Sequence, residues 1–307
     1  MEPGHPAVAA LPGRGPVKAG LASGWDSLLL PALGASLLLF LLPQALFVKN
    51  SLYAPLGFGR IGDELTLQNF GRVLTDSLFL YSFRLTAYLS FLVAVVAILL
   101  GFPLAYFIAR SQSRWRSLLV TLLVVSSFIT VVIKSLGLIV ILGGSGPVNR
   151  VLVGAGLVER PLTLLNNQFG VVVGLLHYTF PLMALVLLSV VQTIPASLEE
   201  AAEVMGAPRR RVFTRILLPL CLPGVLAGGL MVFNMSMGAF TSAALLGGGR
   251  VPVLPILIQR KIISEVNYPM GATMSVLLLV AVVALNVLAV WLLGRFRRLS
   301  AGMRGTL

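Results

Sequence analysis

Residues 200–219 read EAAEVMGAPRRRVFTRILLP, from Glu200 to Pro219, and this charged stretch is wedged between two long apolar runs. Before it, Phe169–Val191 carries no charged residue, and after it Leu222–Leu246 carries none either. A membrane helix needs about 20 mostly apolar residues, so each flanking run is long enough to cross a bilayer. The polar stretch is then a connection lying outside the membrane, and the fold is decided by counting the runs around it.

Working outward, six runs qualify: Leu28–Val48, Thr86–Ile108, Leu118–Leu142, Phe169–Val191, Leu222–Leu246 and Met270–Leu293. The chain is 57% hydrophobic and only 11% charged, with a mean hydropathy of +0.97. A soluble domain carries roughly 25% charged residues. Inside lipid no water satisfies the backbone, so runs of this length must be helices. The expected fold is all-α, a polytopic membrane protein with six transmembrane helices.

The net charge of +13 points to membrane topology and not to nucleic acid, because the charges sit between the runs. With the N-terminus cytoplasmic, inner segments hold Arg14, Lys18, Arg110, Arg114, Arg116, Arg209, Arg210, Arg211, Arg215, Arg295, Arg297, Arg298 and Arg304. These are thirteen of 23 basic residues, with nine in or near outer segments and Lys134 within a run. The short connection between runs two and three carries only positive charge, so positive-inside bias puts both termini in the cytoplasm. Residues 1–26, rich in Pro, Gly and Ala, read as a disordered cytoplasmic tail. The run after it is too long for a signal-peptide core and reads as an uncleaved first span. One transmembrane domain, residues 27–298, follows, with a short cytoplasmic tail at 299–307. The lone Cys221 rules out an internal disulfide and a cysteine metal cluster.

The outer loops carry their own signals. Leu67–Leu74 is expected to form a short amphipathic helix at the membrane surface. Gly143-Gly144-Ser145-Gly146-Pro147 breaks the chain, and a short helix from Val148 to Gly154 follows. A third outer loop runs from Gly247 to Pro269 and opens with three glycines.

From Ser197 to Pro219 the chain has a legible local physics. Ser197 and Glu200 fit a capping box, and Glu199, Glu200 and Glu203 crowd the first turns, where the helix dipole favours negative charge. Gly206 supplies the left-handed residue that ends a helix. Pro208 suits the start of a second helix, and Pro219 and Pro223 mark the return into the membrane. Two short helices joined at a glycine are expected. The small side chains of Ala201, Ala202 and Ala207 suit docking into a groove on a partner.

The order Glu200-Ala201-Ala202, three residues, Gly206, nine residues, Ile216-x-Leu218-Pro219 resembles the EAA loop of the membrane-spanning subunits of binding-protein-dependent ABC importers. The resemblance extends from about Leu65 to Arg298. Leu136-Gly137-Leu138, Gly146 through Leu152, Pro161 through Leu165, Met237-Gly238-Ala239-Phe240-Thr241 and Asn267 through Ala272 look like spermidine/putrescine-type permeases, nearest the first of two membrane subunits. Val204 stands where relatives often carry an acidic residue. What the resemblance implies is a type I importer fold and a second, similar membrane subunit. It also implies two ATP-binding cassette ATPases that hold ATP and magnesium, an outer solute-binding protein, and a place in the bacterial inner membrane. The loop would be the coupling element, with Glu200, Ala201, Ala202, Gly206, Ala207, Arg209, Ile216 and Pro219 meeting the ATPase. The chain has no G-x-x-x-x-G-K-[ST] loop, so it is expected to bind no cofactor and to hydrolyse no ATP itself.

Ionisable groups inside a span are costly and mark function by default. Lys134 is one such group, with snorkelling to the outer surface or a structural ion pair as the alternatives. Lys134, His177, Tyr178, Asn234 and Phe240 are the translocation-path candidates. His177, Tyr178 and Asn234 serve equally well as interhelical hydrogen-bond glue, and Asn286 reads as such glue. Gly224, Gly228, Gly229 and Gly238 read as close helix packing. The six runs contain no Asp or Glu. A polyamine path would then rely on carbonyls, aromatics such as Tyr178 and Phe180, or the partner subunit. A phosphonate, sulfate or iron(III), which related permeases carry, suits Lys134 at least as well. A secondary transporter should show buried acids for ion coupling, and an enzyme should show clustered catalytic groups; neither pattern is present.

Overall fold

The structure, a computed structural model, describes residues 22–57 and 59–302, with side chains over 30–57 and 59–291. The expected disordered tail therefore lies outside the described residues as far as residue 21, and 22–26 belong to the first helix. Of the expected C-terminal tail, 303–307 lie outside the described residues and 299–302 continue the last helix. By internal contacts the chain divides into two units, residues 1–49 and 50–307.

Helix α1 (Ala22–Ser51), with Pro31 and Pro43 inside it, takes in the described residues of the first unit and the first two residues of the second. The second unit begins with a feature that a helix-only outer loop did not anticipate. Strands β1 (Tyr53–Gly57) and β2 (Arg60–Leu65) pair antiparallel. Gly57 and Gly59 turn the chain at φ +82° and +77°, values that an L side chain rarely adopts. The expected amphipathic helix follows as α2 (Gln68–Thr75). Asn69, 1% exposed, donates its side-chain amide to the carbonyls of Ser51 and Tyr53 and ties α2 to the start of the hairpin.

Helix α3 (Ser77–Arg110) begins where the Asp76 side chain accepts the Leu78 N–H, a conventional N-cap. The third expected span is not continuous. It divides into α4 (Trp115–Phe128) and α5 (Val131–Leu142), separated at Ile129 and Thr130. The hydroxyls explain the break: Ser127 Oγ donates back to the Val124 carbonyl, and Thr130 accepts the Ile133 N–H to start a new helix. After the glycine-rich turn comes α6 (Pro147–Gly154), as expected. Buried Asn149 donates to the Gly143 and Leu162 carbonyls and accepts the Leu162 N–H, closing this outer loop on itself.

Helix α7 (Gln168–Gln192) is capped by the Asn167 side chain. Two short helices follow, α8 (Ser197–Val204) and α9 (Arg209–Val212), then a wide π-turn at Phe213–Leu217 that runs directly into α10 (Leu218–Met237). The expected fifth span ends early, because Gly238 and Ala239 leave the helix and α11 (Phe240–Gly247) starts anew. In the third outer loop α12 (Leu254–Gln259) forms, an element with no clear sequence signal, followed by a second π-turn at Arg260–Ser264. The last helix is α13 (Tyr268–Gly302). Among the described residues, six segments are long and apolar enough to cross a membrane: Leu30–Ser51, Ser77–Arg110, Val131–Gly154, Gln168–Gln192, Arg209–Met237 and Tyr268–Trp291.

The main core is built by α3, α7 and α10, where Leu89, Val93, Ala97, Ala184, Leu187 and Val232 are all but fully buried. Glycine makes these crossings close. A Cβ at Gly228 would stand 3.0 Å from Met183 Sδ, one at Gly229 would stand 3.0 Å from Ile98 Cδ1, and one at Gly224 would collide with the Val190 side chain. Small residues let helix backbones approach in just this way. Gly238 differs from that expectation: nothing lies within 4 Å of its Cβ position, and it caps the end of α10 instead.

Candidate functional site

The loop between α7 and α10 is organised from its glycine. Gly206 has φ +82°; its N–H donates to the Glu203 carbonyl at 2.9 Å, and the Ala207 N–H donates to the Ala202 carbonyl at 3.0 Å. This pair of bonds is the Schellman motif, so the end of α8 is fixed by backbone chemistry at the residue the sequence singled out. The start of α8 differs from the expectation. Ala196 holds the N-cap position with no side-chain cap, and Ser197 is already helical. The Ala196 carbonyl instead accepts the N–H groups of Glu199 and Glu200, so no capping box forms.

The second half of the loop is also a correction. Pro208 sits at the N-cap of α9, but α9 is a single turn that merges through the π-turn with α10, so it is no separate short helix. Proline explains the wide turn. Pro219 has no N–H to bond the carbonyl four residues back, and the Leu218 N–H bonds Phe213 O, five back. Pro219 sits in the first turn of α10, as expected of a proline that opens the return into the membrane, and Pro223 lies inside that helix.

Below the loop, α3 grips it. Arg110, in the last turn of α3, donates Nε and Nη2 to Glu199 Oε1 at 2.8 and 2.6 Å, and Nη2 also donates to the Ile194 carbonyl at 3.0 Å. One turn earlier the Tyr106 hydroxyl donates to Glu199 Oε2 at 2.8 Å. The Phe213 ring meets Tyr106 edge-on at 6.2 Å and Phe102 at 5.6 Å. These contacts enclose a cleft of about 450 Å³ that also takes in Glu203, Arg209, Arg210 and Val212. In the sequence alone Arg110 reads only as a topology charge and Glu199 only as a first-turn charge favoured by the helix dipole. The available signal was the doubled glutamate at 199–200 and an aromatic residue one turn before the arginine that ends a span.

The outward side of the loop is unpartnered. Glu200 and Ala201 are exposed, Ala202 and Ala207 are half-buried, and the α8 end carries Val204 at 89% and Met205 at 85% exposure. Arg209 pairs with Glu203 at 3.3 Å across the Gly206 turn, a solvated pair of little energetic weight. Ile216 is half-buried and Pro219 exposed, on either side of the fully buried Leu217.

The path candidates separate into two groups. Lys134 is 7% exposed in the second turn of α5 and, among the described residues, makes no ion pair. Its side chain is largely buried against the neighbouring helices. One turn along the same face, Leu138 lines an apolar groove of about 380 Å³ with His177, Phe180 and Ser126. Asn234 lies elsewhere and exchanges two amide hydrogen bonds with Asn286. Tyr178 is half-buried on α7, and Phe240, 39% exposed, begins α11. The five residues do not converge on one pocket.

Residues 97–299 match the family of binding-protein-dependent transport system inner membrane components. The chain is 30% identical over 236 residues to the spermidine/putrescine transport system permease protein PotB of Haemophilus influenzae, covering 77% of this chain and 82% of that one. It is 28% identical to the protein of the same name from Escherichia coli, covering 84% and 93%. A solved bacterial alginate ABC transporter, in complex with an alginate pentasaccharide-bound periplasmic protein, matches 86% of this chain and 92% of its own at a TM-score of 0.72 and 21% identity. The polar loop that interrupts the spans, the six apolar crossings and these matches agree, and the chain belongs to the binding-protein-dependent transport system inner membrane components, the multi-pass inner-membrane permeases of type I ABC importers.

Proposed function

We propose that this chain is the half of an ATP-driven importer that receives mechanical force at the 197–219 loop and rocks its spans between inward- and outward-facing states around a small solute. The observation that carries the reading is α8 itself. It is a short helix fixed by the Gly206 turn, it buries none of its residues, and it presents Val204 and Met205 almost fully exposed. An exposed apolar surface on an otherwise polar loop marks a docking site, and a helix laid into a groove is a standard way to fill one. The partner of fitting chemistry is an ATP-binding cassette ATPase, which would carry the ATP and magnesium while this chain holds no cofactor. Two such ATPases, a second membrane subunit and a periplasmic solute-binding protein complete the machine, with both termini of this chain in the cytoplasm. Glu200, Ala201, Ala202, Gly206, Ala207, Arg209, Ile216 and Pro219 form the ATPase-coupling surface.

The experiment replaces Glu200 by Lys and, separately, Gly206 by Leu. Co-purification with the ATPase and binding-protein-stimulated ATP hydrolysis in liposomes are then measured. Loss of either in both variants supports the reading, and unchanged values in both overturn it.

For the cargo we propose a polyamine, in line with the spermidine/putrescine permeases of 28–30% identity. One observation favours a second reading, an oxyanion: Lys134 is buried, and the expected spans hold no acid to receive a polycation. Thermal-shift measurements on the cognate binding protein with spermidine, putrescine, a phosphonate, sulfate and iron(III) separate the two.

A further inference from the structure

Phe102, Tyr106 and Arg110 stand four residues apart and so line one face of the last two turns of α3. That single face holds both limbs of the loop. The incoming limb is held through Glu199 and the Ile194 carbonyl, and the outgoing limb through the Phe213 ring. Helix α3 is remote in sequence: Arg110 and Glu199 are 89 residues apart. The backbone links α8 only to α7 and α10, so any displacement of α8 reaches α3 through side chains.

The ion pair is built for that task. Both Glu199 carboxylate oxygens are occupied, one by two N–H groups of Arg110 and the other by the Tyr106 hydroxyl. Its side chains are 21% and 13% exposed, shielded compared with the Glu203–Arg209 pair on the same loop. A planar guanidinium with several bonds fixed at once resists tilting in a way that one flexible contact does not. Adjacent glutamates therefore face opposite ways: Glu199 turns inward to α3, and Glu200 is left on the solvent side.

We propose that Arg110 and Tyr106 are positioning residues that lock α8 and the loop end of α3 into one moving body, with Glu199 as the linkage. The inference rests on the coupling role proposed above and names the span that force reaches without a backbone connection. Without the lock, α8 moves with the ATPase while α3 lags, and ATP is hydrolysed without productive rocking.

The test uses the assembled importer in nanodiscs with spin labels at Q112C and M205C, and a second pair at M205C and V151C. All three positions are exposed in the chain alone, and the native Cys221 is buried and does not compete for the label. Because Met205 lies at the proposed ATPase contact, the label pairs are used only where the otherwise native importer keeps its binding-protein-stimulated ATP hydrolysis. The expected result is a Gln112–Met205 distance that ignores ATP, while the Met205–Val151 distance responds to it. In E199Q and R110A the Gln112–Met205 distance should become ATP-dependent, and binding-protein stimulation of ATP hydrolysis should fall roughly tenfold, within the usual range of coupling effects. The swapped variant R110E/E199R should restore the fixed distance, which a variant damaged only in folding would not do. A Gln112–Met205 distance that varies with ATP in the native chain, or stays fixed in both single variants, overturns the proposal. A Met205–Val151 distance indifferent to ATP instead refutes the coupling reading itself, and this inference with it.

Discussion

Asn234 on α10 and Asn286 on α13 exchange a reciprocal pair of amide hydrogen bonds, 2.9 and 3.0 Å long, between two apolar helices. Asn286 makes a further bond to the Val282 carbonyl. Each amide satisfies the other, so the polar cost of placing two asparagines in apolar helices is met inside the protein. Removing one partner orphans the other. N234A and N286A should each destabilise the detergent-solubilised chain by about 1 kcal/mol, in line with interhelical bonds in membranes. The double variant should be no less stable than either single one. Thermal unfolding of the four proteins checks this double-mutant cycle.

Glycine packing between α7 and α10 makes a second prediction. A methyl at Gly224 meets the stiff, β-branched side chain of Val190, whereas nothing lies within 4 Å of a methyl at Gly137 on α5. G224A should lose about 1–3 kcal/mol to overpacking, and G137A should be neutral or gain up to about 1 kcal/mol of helix propensity. Chemical-denaturation midpoints in detergent distinguish them.

Lys134 separates structure from cargo. An ammonium buried without an ion pair costs free energy in the folded chain, so K134M should assemble normally and melt at the same or a higher temperature. Loss of the complex would show that Lys134 has a structural role. With a spermidine-loaded binding protein, stimulation of ATP hydrolysis should persist or rise in K134M, because a repulsive charge has gone. With a sulfate- or phosphonate-loaded binding protein, a fall of fivefold or more in K134M, the low end of coupling effects at about 1 kcal/mol, marks the oxyanion reading.

The sequence carried the architecture where a physical rule acts on short spacing. Apolar runs of membrane length announced the crossings, and Gly206 announced its left-handed turn because so few residues tolerate that conformation. What it did not carry depends on competition. Ser197 and Glu200 have the spacing of a capping box, yet the Ala196 carbonyl takes the N–H groups that Ser197 was expected to serve. The hydroxyls of Ser127 and Thr130 divide a run that hydropathy reads as continuous, since a hydroxyl in an apolar stretch barely lowers its mean. The hairpin at Tyr53–Leu65 is signalled only by Gly57 and Gly59, in a loop whose polarity suggested a surface helix. The Glu199 linkage lay deepest, because it joins residues 89 positions apart and only tertiary packing reveals which of two adjacent glutamates faces inward.

The central claim is that the tip of α8 sits against an ATPase. It is tested most directly by placing a photo-crosslinking amino acid at Met205, 85% exposed, in the assembled importer, with Val151, 68% exposed on α6, as the control. Irradiation should give an adduct of this chain with the ATPase from position 205 and none from position 151. An importer that hydrolyses ATP normally yet gives no ATPase adduct from 205 would contradict the account.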